Sequence, residues 1–119
     1  MKREYNIIPV SKPRQTRSDR WKKRPSVMKY RAFADEVRAN KIIIPSGGAH
    51  ITFIIPFPVS YSKRKKKKLN GKPHFVKKRN DIDNLQKALM DAIFDDDSHI
   101  WDIRCTKLWG YEGKIIIET

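Results

Sequence analysis

Cysteine is almost absent from this chain: Cys105 is the only one in 119 residues, which excludes an internal disulfide and any zinc cage built from cysteines. It lies in an apolar segment, where a buried thiol is the ordinary reading and a nucleophile is not. Long hydrophobic runs are missing as well. No apolar stretch approaches the roughly 20 residues that span a bilayer, and the basic residues are interleaved with no long amphipathic face, so no membrane partner is expected. The opening Met1-Lys2-Arg3-Glu4-Tyr5 has no apolar signal-peptide core, and the expectation is a protein that stays in the cytoplasm. Histidines are few, and His50, His74 and His99 have neither metal-ligand spacing nor an identifiable Ser or Cys partner.

Acids are also in short supply, with 13 Asp and Glu against 27 Lys and Arg, for a net charge of +14. Such a charge repels itself unless a polyanion neutralises it, and nucleic acid is the natural candidate. The distribution is more informative than the total. Residues 1–80 sum to +19 and residues 81–119 to −5. A protein that only gripped phosphates would gain little from gathering its acids, whereas one that also holds a divalent cation needs both surfaces. A basic extension on an ordinary acidic domain would give the same division.

At 119 residues and 39% hydrophobic composition the chain has enough for one core and hardly two. Tyr5 to Ile8 reads as a short strand ended by Pro9, and residues 11–25 as a basic arm without periodicity. Ser26 offers an N-cap to an amphipathic helix in which Val27, Tyr30, Phe33, Ala34 and Val37 recur at three- and four-residue spacing. Ile51, Phe53, Ile55 and Phe57 alternate as a strand that Pro56 and Pro58 should end. Residues 60–80 contain no acid and six consecutive basic residues, Lys63 to Lys68, and read as a mobile basic loop. Leu85, Leu89, Ala92 and Ile93 mark a second helix that Asp95-Asp96-Asp97 stops. Trp101, Ile103 and Cys105 alternate in a strand, Gly110 and Gly113 bracket a turn, and Lys114 to Glu118 closes with another strand. The expected fold is α+β, a single small domain over residues 1–119 in β-α-β-α-β-β order, with two helices on a mixed sheet.

Asp81 and Asp83 open the second helix. Two residues apart on a continuing helix they would point to different sides, so they converge on one ion only if the backbone at Asp81 is not yet helical. Lys87, four residues after Asp83, shares its face. Alternatively, Asp81 and Asp83 are helix caps and dipole partners, with Asp83 and Lys87 as a routine ion pair. The triplet Asp95-Asp96-Asp97 is locally unfavourable at a helix C-terminus, and a fold that brought it to the helix start would favour a hard cation with oxygen ligands, magnesium or manganese and not zinc.

Asp81-x-Asp83-Asn84-Leu85-x-Lys87, followed by Asp96-Asp97 and a strand, resembles the signature of RusA-type Holliday-junction endodeoxyribonucleases, most strongly over residues 79–119. The resemblance implies a RusA-like fold and a Mg²⁺ site formed by Asp81, Asp83 and Asp97, with Asp96 as the alternative third ligand and Lys87 assisting catalysis. It further implies hydrolysis of phosphodiesters in four-way DNA junctions during recombination and repair, a homodimer, and a phage or prophage setting. On this reading Lys12, Arg14, Arg17, Arg20, Lys22, Lys23 and Arg24 of the arm would contact the DNA backbone. Lys63, Arg64, Lys65, Lys66, Lys67, Lys68, Lys77, Lys78 and Arg79 of the loop would do the same, while Trp21, Tyr61 and Phe75 would stack on bases or pack. The alternative from the residues alone is a non-catalytic basic DNA- or RNA-binding protein, which metal dependence would distinguish.

Overall fold

The computed structural model describes residues 1–13, 25–76 and 79–119. The elements are β1 (Lys2–Tyr5), α1 (Pro25–Ala39), β2 (Ala49–Pro56), α2 (Lys63–Leu69), α3 (Ile82–Ile93), β3 (Ile103–Gly110) and β4 (Lys114–Glu118). The four strands form one sheet in the order β1-β4-β2-β3. β2 runs parallel to β3, and β4 is antiparallel to both β1 and β2, so the sheet is mixed as expected.

Alternation along β2 buries Ala49, Ile51, Phe53 and Ile55, and the register pairs Ile51 with Ile117 and Phe53 with Ile115. α3 presents Leu85, Ala88, Leu89 and Ala92 at helical spacing, and α1 presents Val27, Phe33, Ala34 and Val37. These groups meet in one core, in which burial of each large aliphatic side chain stabilises by about 1.5–3 kcal/mol.

Several local expectations are corrected. The first strand ends at Tyr5 and does not begin there; Ile7 lies beyond it, buried as an anchor of the outgoing chain. α1 begins at Pro25, whose fixed φ suits the first helical position, so Ser26 sits inside the first turn and is not the cap. The third strand begins at Ile103, leaving Trp101 exposed beside Gly47. The largest correction falls on residues 60–80, where Lys63–Leu69 is a helix and not a loop. Ser62 caps it by accepting a hydrogen bond from the Lys65 backbone N–H at 3.2 Å. Lysine is a good helix former, and basic side chains in the last turn complement the helix dipole. The order is therefore β-α-β-α-α-β-β. Most of the basic arm, including Arg14, Arg17, Arg20, Trp21, Lys22, Lys23 and Arg24, lies outside the described residues, as do Lys77 and Lys78.

Candidate active site

α3 starts from a turn held by Asn80, which adopts φ +52°, a left-handed conformation that Asn tolerates better than most residues. Its carbonyl accepts a hydrogen bond from Lys107 Nζ at 2.9 Å, which ties the helix start to β3. Asp81 follows with φ −56° and ψ 134°, outside helical geometry, while its own carbonyl accepts the first helical bond from Leu85. The non-helical backbone needed for Asp81 and Asp83 to converge is therefore present. Asp81 does not use its side chain as a cap. Asp81 thus stands at the N-cap position with its carboxylate unused for capping, and both carboxylates are exposed beside the positive end of α3.

Lys87 turns the other way from the expected partner. Its Nζ lies 3.8 Å from Asp91 Oδ2, one turn further along α3, and its side chain stays 64% exposed. Asp91 also receives Lys12, whose backbone N–H donates to the Asn84 carbonyl at 3.2 Å. Burial disfavours the Lys12 ammonium, but the hydrogen bond to Asp91 and the nearby Tyr30 outweigh it and raise its pKa. Lys12, expected on the DNA, thus pins the base of the arm to α3.

Beyond Phe94 the acidic triplet is exposed. Asp96 Oδ1 accepts from the Ser98 N–H at 2.9 Å, and that bond lowers its pKa. Asp97 offers its backbone carbonyl to Ile100.

Position along the sheet separates these acids. Arg79 and Asn80 line a cavity of about 70 Å³ together with Ile55, Pro56 and Trp109, at the C-terminal ends of β2 and β3. The chain after α3 closes on the opposite end: Trp101 N–H donates to the Ser46 carbonyl, and Gly48 N–H to Asp102. Between the two ends lie the 12 residues of α3, about 18 Å of helix. Among the described residues no group of three or more His, Cys, Asp or Glu side chains is placed to hold a metal ion. The oxygen donors suit a hard cation chemically, but one chain does not bring Asp97 or Asp96 to Asp81 and Asp83.

On the flank of this helix start stands an aromatic group that sequence reasoning resolved only in part. Trp109 is buried, stacked on Phe57 with centroids 5.3 Å apart, and flanked by Tyr61 at 5.6 Å and His74 at 4.3 Å. Tyr61, Leu69, Pro73, Phe75, Val76 and Trp109 line a cavity of about 580 Å³ with Lys68 and Lys72. Phe75 is 82% exposed, as a base-stacking residue would be, whereas Tyr61 is half-buried beneath Lys65, whose Nζ lies 3.8 Å from its ring centre. Pairing of residues 71–74 with β3 builds this wall, through Gly71 N–H to Trp109 and His74 N–H to Lys107, and no periodicity in the sequence signals it. His74 is buried, and burial followed by the nearby Lys107 lowers its pKa. His50 Nε2 bonds Thr106 Oγ1 at 2.9 Å, and His99 meets Phe94 edge-on, so all three histidines have packing roles. Cys105 is half-buried, its thiol pushed up to about 11 by burial, far from nucleophilic.

The profile of the family described as Endodeoxyribonuclease RusA matches residues 4–119, essentially the whole chain. The chain belongs to the RusA endodeoxyribonuclease family. A comparison with curated proteins found no match. Membership makes the protein a hydrolase of DNA phosphodiester bonds, in a family that resolves Holliday junctions. α2 exposes Lys63, Arg64, Lys65, Lys67 and Lys68, with Lys66 half-buried and no acid in its first turn. No helix among the described residues is long and apolar enough to cross a membrane.

Proposed function

We propose that this RusA-family nuclease resolves four-way DNA junctions in recombination and repair as a magnesium-dependent homodimer, with manganese as a substitute ion. Asp81, Asp83 and Asp97 would hold the ion, with Asp96 the alternative to Asp97. The supporting observation is the start of α3, where Asp81 leaves helical geometry without using its carboxylate as a cap. When bound, magnesium would supply Lewis-acid chemistry at the phosphate. Lys87 needs only to leave Asp91, 3.8 Å away, to place its ammonium against developing charge on the phosphate oxygens. The residues of α2, with Arg79 and the basic residues of the arm and of positions 77 and 78, would grip backbone phosphates. Phe75 and Tyr61 would meet unpaired bases at the branch.

The test is cleavage of a synthetic four-way junction, a duplex and a structured RNA, each with Mg²⁺ or EDTA. The expected result is metal-dependent cutting of the junction alone, reduced at least about a hundredfold by Asp83→Asn. An Asp83→Asn protein that cuts at the normal rate would overturn the site. Binding with no cutting in either condition would make the protein a non-catalytic binder.

A further inference from the structure

We infer that the cavity between α2 and β3 takes one unpaired nucleobase of the DNA strand lying across the start of α3; this rests on the proposed function. At about 580 Å³ the cavity falls within the roughly 300–1,000 Å³ of small-ligand sites. Its lining is aromatic and aliphatic, and runs from the interior to the surface, with Trp109 buried and Phe75 82% exposed. The wall is built before any ligand arrives. Gly71 N–H donates to the Trp109 carbonyl at 2.9 Å, Trp109 N–H to the Lys72 carbonyl at 2.9 Å, and His74 N–H to the Lys107 carbonyl at 3.1 Å. A wall fixed by backbone bonds leaves little ordering cost to the ligand that enters.

The occupant is a base and not an apolar side chain of a protein partner for three reasons. Lys68 and Lys72 line the cavity, and Lys65 lies 3.8 Å over the Tyr61 ring, so the ligand joins an apolar face to negative charge. A nucleotide has both, in the flat face of its base and in its phosphate. The cavity also adjoins the start of α3. It shares Tyr61, Val76 and Trp109 with the 70 Å³ cavity that Arg79 and Asn80 line, and Asp81 follows directly in the chain. Finally, His74 lines that smaller cavity and is buried with its Nδ1 lacking a hydrogen-bond partner. The edge of a base carries ring nitrogens and exocyclic groups that can supply one, and a hydrocarbon side chain carries none. An acidic peptide with an apolar anchor meets the first demand and neither of the others. A base stacked in a duplex cannot enter, since its faces are covered; it must leave the stack, at least cost where pairing is already lost. The cavity would thereby favour a branch over a plain duplex without reading sequence.

The test measures affinity of the full chain in EDTA for synthetic four-way junctions. Each nucleotide flanking the branch is made in turn a paired base, a mismatched base or an abasic analogue. At one position the mismatched junction should bind at least about fivefold more tightly than the abasic one, which has no base to stack. It should also bind more tightly than the paired one, which must first break a pair. Val76→Trp, which fills the cavity, should bring the mismatched and abasic junctions to the same affinity. With the unaltered protein, 4-thiothymine at that position should crosslink under ultraviolet light to Tyr61, Phe75 or Trp109, a readout that needs no variant to fold. Equal affinity for mismatched and abasic junctions at every position, or crosslinks confined to residues outside the cavity, would overturn the inference; Mg²⁺-dependent cutting would still leave the proposed function standing. A mismatch preference that survives in Val76→Trp would place the base elsewhere and leave the cavity to a protein side chain. A protein that binds junctions no better than duplex would overturn both the inference and the proposed function.

Discussion

Asp91 shows how one acid can be removed from the chemistry by its neighbours. It accepts Lys12 from the base of the arm and lies 3.8 Å from Lys87, so it acts as the counter-charge of two lysines. Replacing it by Asn should strand the part-buried Lys12 ammonium and destabilise the fold by about 1–3 kcal/mol in urea denaturation. Lys87→Ala should change stability by less than about 1 kcal/mol, because the pair it breaks is exposed, while lowering kcat for junction cleavage. The Lys12 pKa is raised in the folded state, so the stability gained from the pair is fully present below the ordinary lysine value of 10.5. It should disappear only as pH climbs through the higher folded-state value, and the difference between wild type and Asp91→Asn should stay flat from neutral pH to about 10. Cys105 gives a second check at this scale. Its thiol is raised from 9.0 to about 11, so iodoacetamide should label the native protein far more slowly than the urea-unfolded chain at pH 8.5, and folding stability should fall between pH 9 and 11.

Among the elements, α2 carries the most charge and the least packing. Only Leu69 and part of Lys66 reach inward from it, and the Ser62 cap and the stacking of Lys65 on Tyr61 hold its start. Ser62→Ala should therefore loosen α2 by about 0.5–2 kcal/mol, seen as faster amide exchange over residues 63–70 with little change elsewhere. Replacing Lys63, Lys67 and Lys68 with Gln should weaken junction binding and lower the slope of log affinity against log salt by about 0.9 for each phosphate that is no longer neutralised. This helix was hidden in the sequence for a physical reason. Six basic residues in a row have no hydrophobic period, since the one apolar residue stands at the end, and a solvated loop has the same composition. The cap was the readable signal, as Ser62 lies three residues before Lys65. α3 was legible throughout because Leu85, Leu89 and Ala92 repeat on one face, and the requirement that Asp81 stand outside the helix followed from side-chain directions alone.

At the scale of the whole molecule, what the sequence could not convey is distance. Fourteen positions separate Asp83 from Asp97, a spacing that a hairpin could close and a helix keeps open. Only the 12-residue span of α3 and the parallel pairing of β2 with β3 show that these acids stand at opposite ends of the sheet. A cation held by the carboxylates of the proposed site would bind the native protein and not the unfolded chain, so it should stabilise by RT ln(1 + [L]/Kd), about 2.7 kcal/mol at a hundred times Kd. For a domain of this length that corresponds to a rise in Tm of roughly 10 °C. Differential scanning calorimetry in rising Mg²⁺, with NaCl matched for ionic strength, should show this increase for wild type. Asp83→Asn and Asp97→Asn should flatten it alike if both residues hold the ion as proposed. A Tm that follows ionic strength alone, with no difference between Mg²⁺ and NaCl, would mean that the acids are surface charges screened by salt.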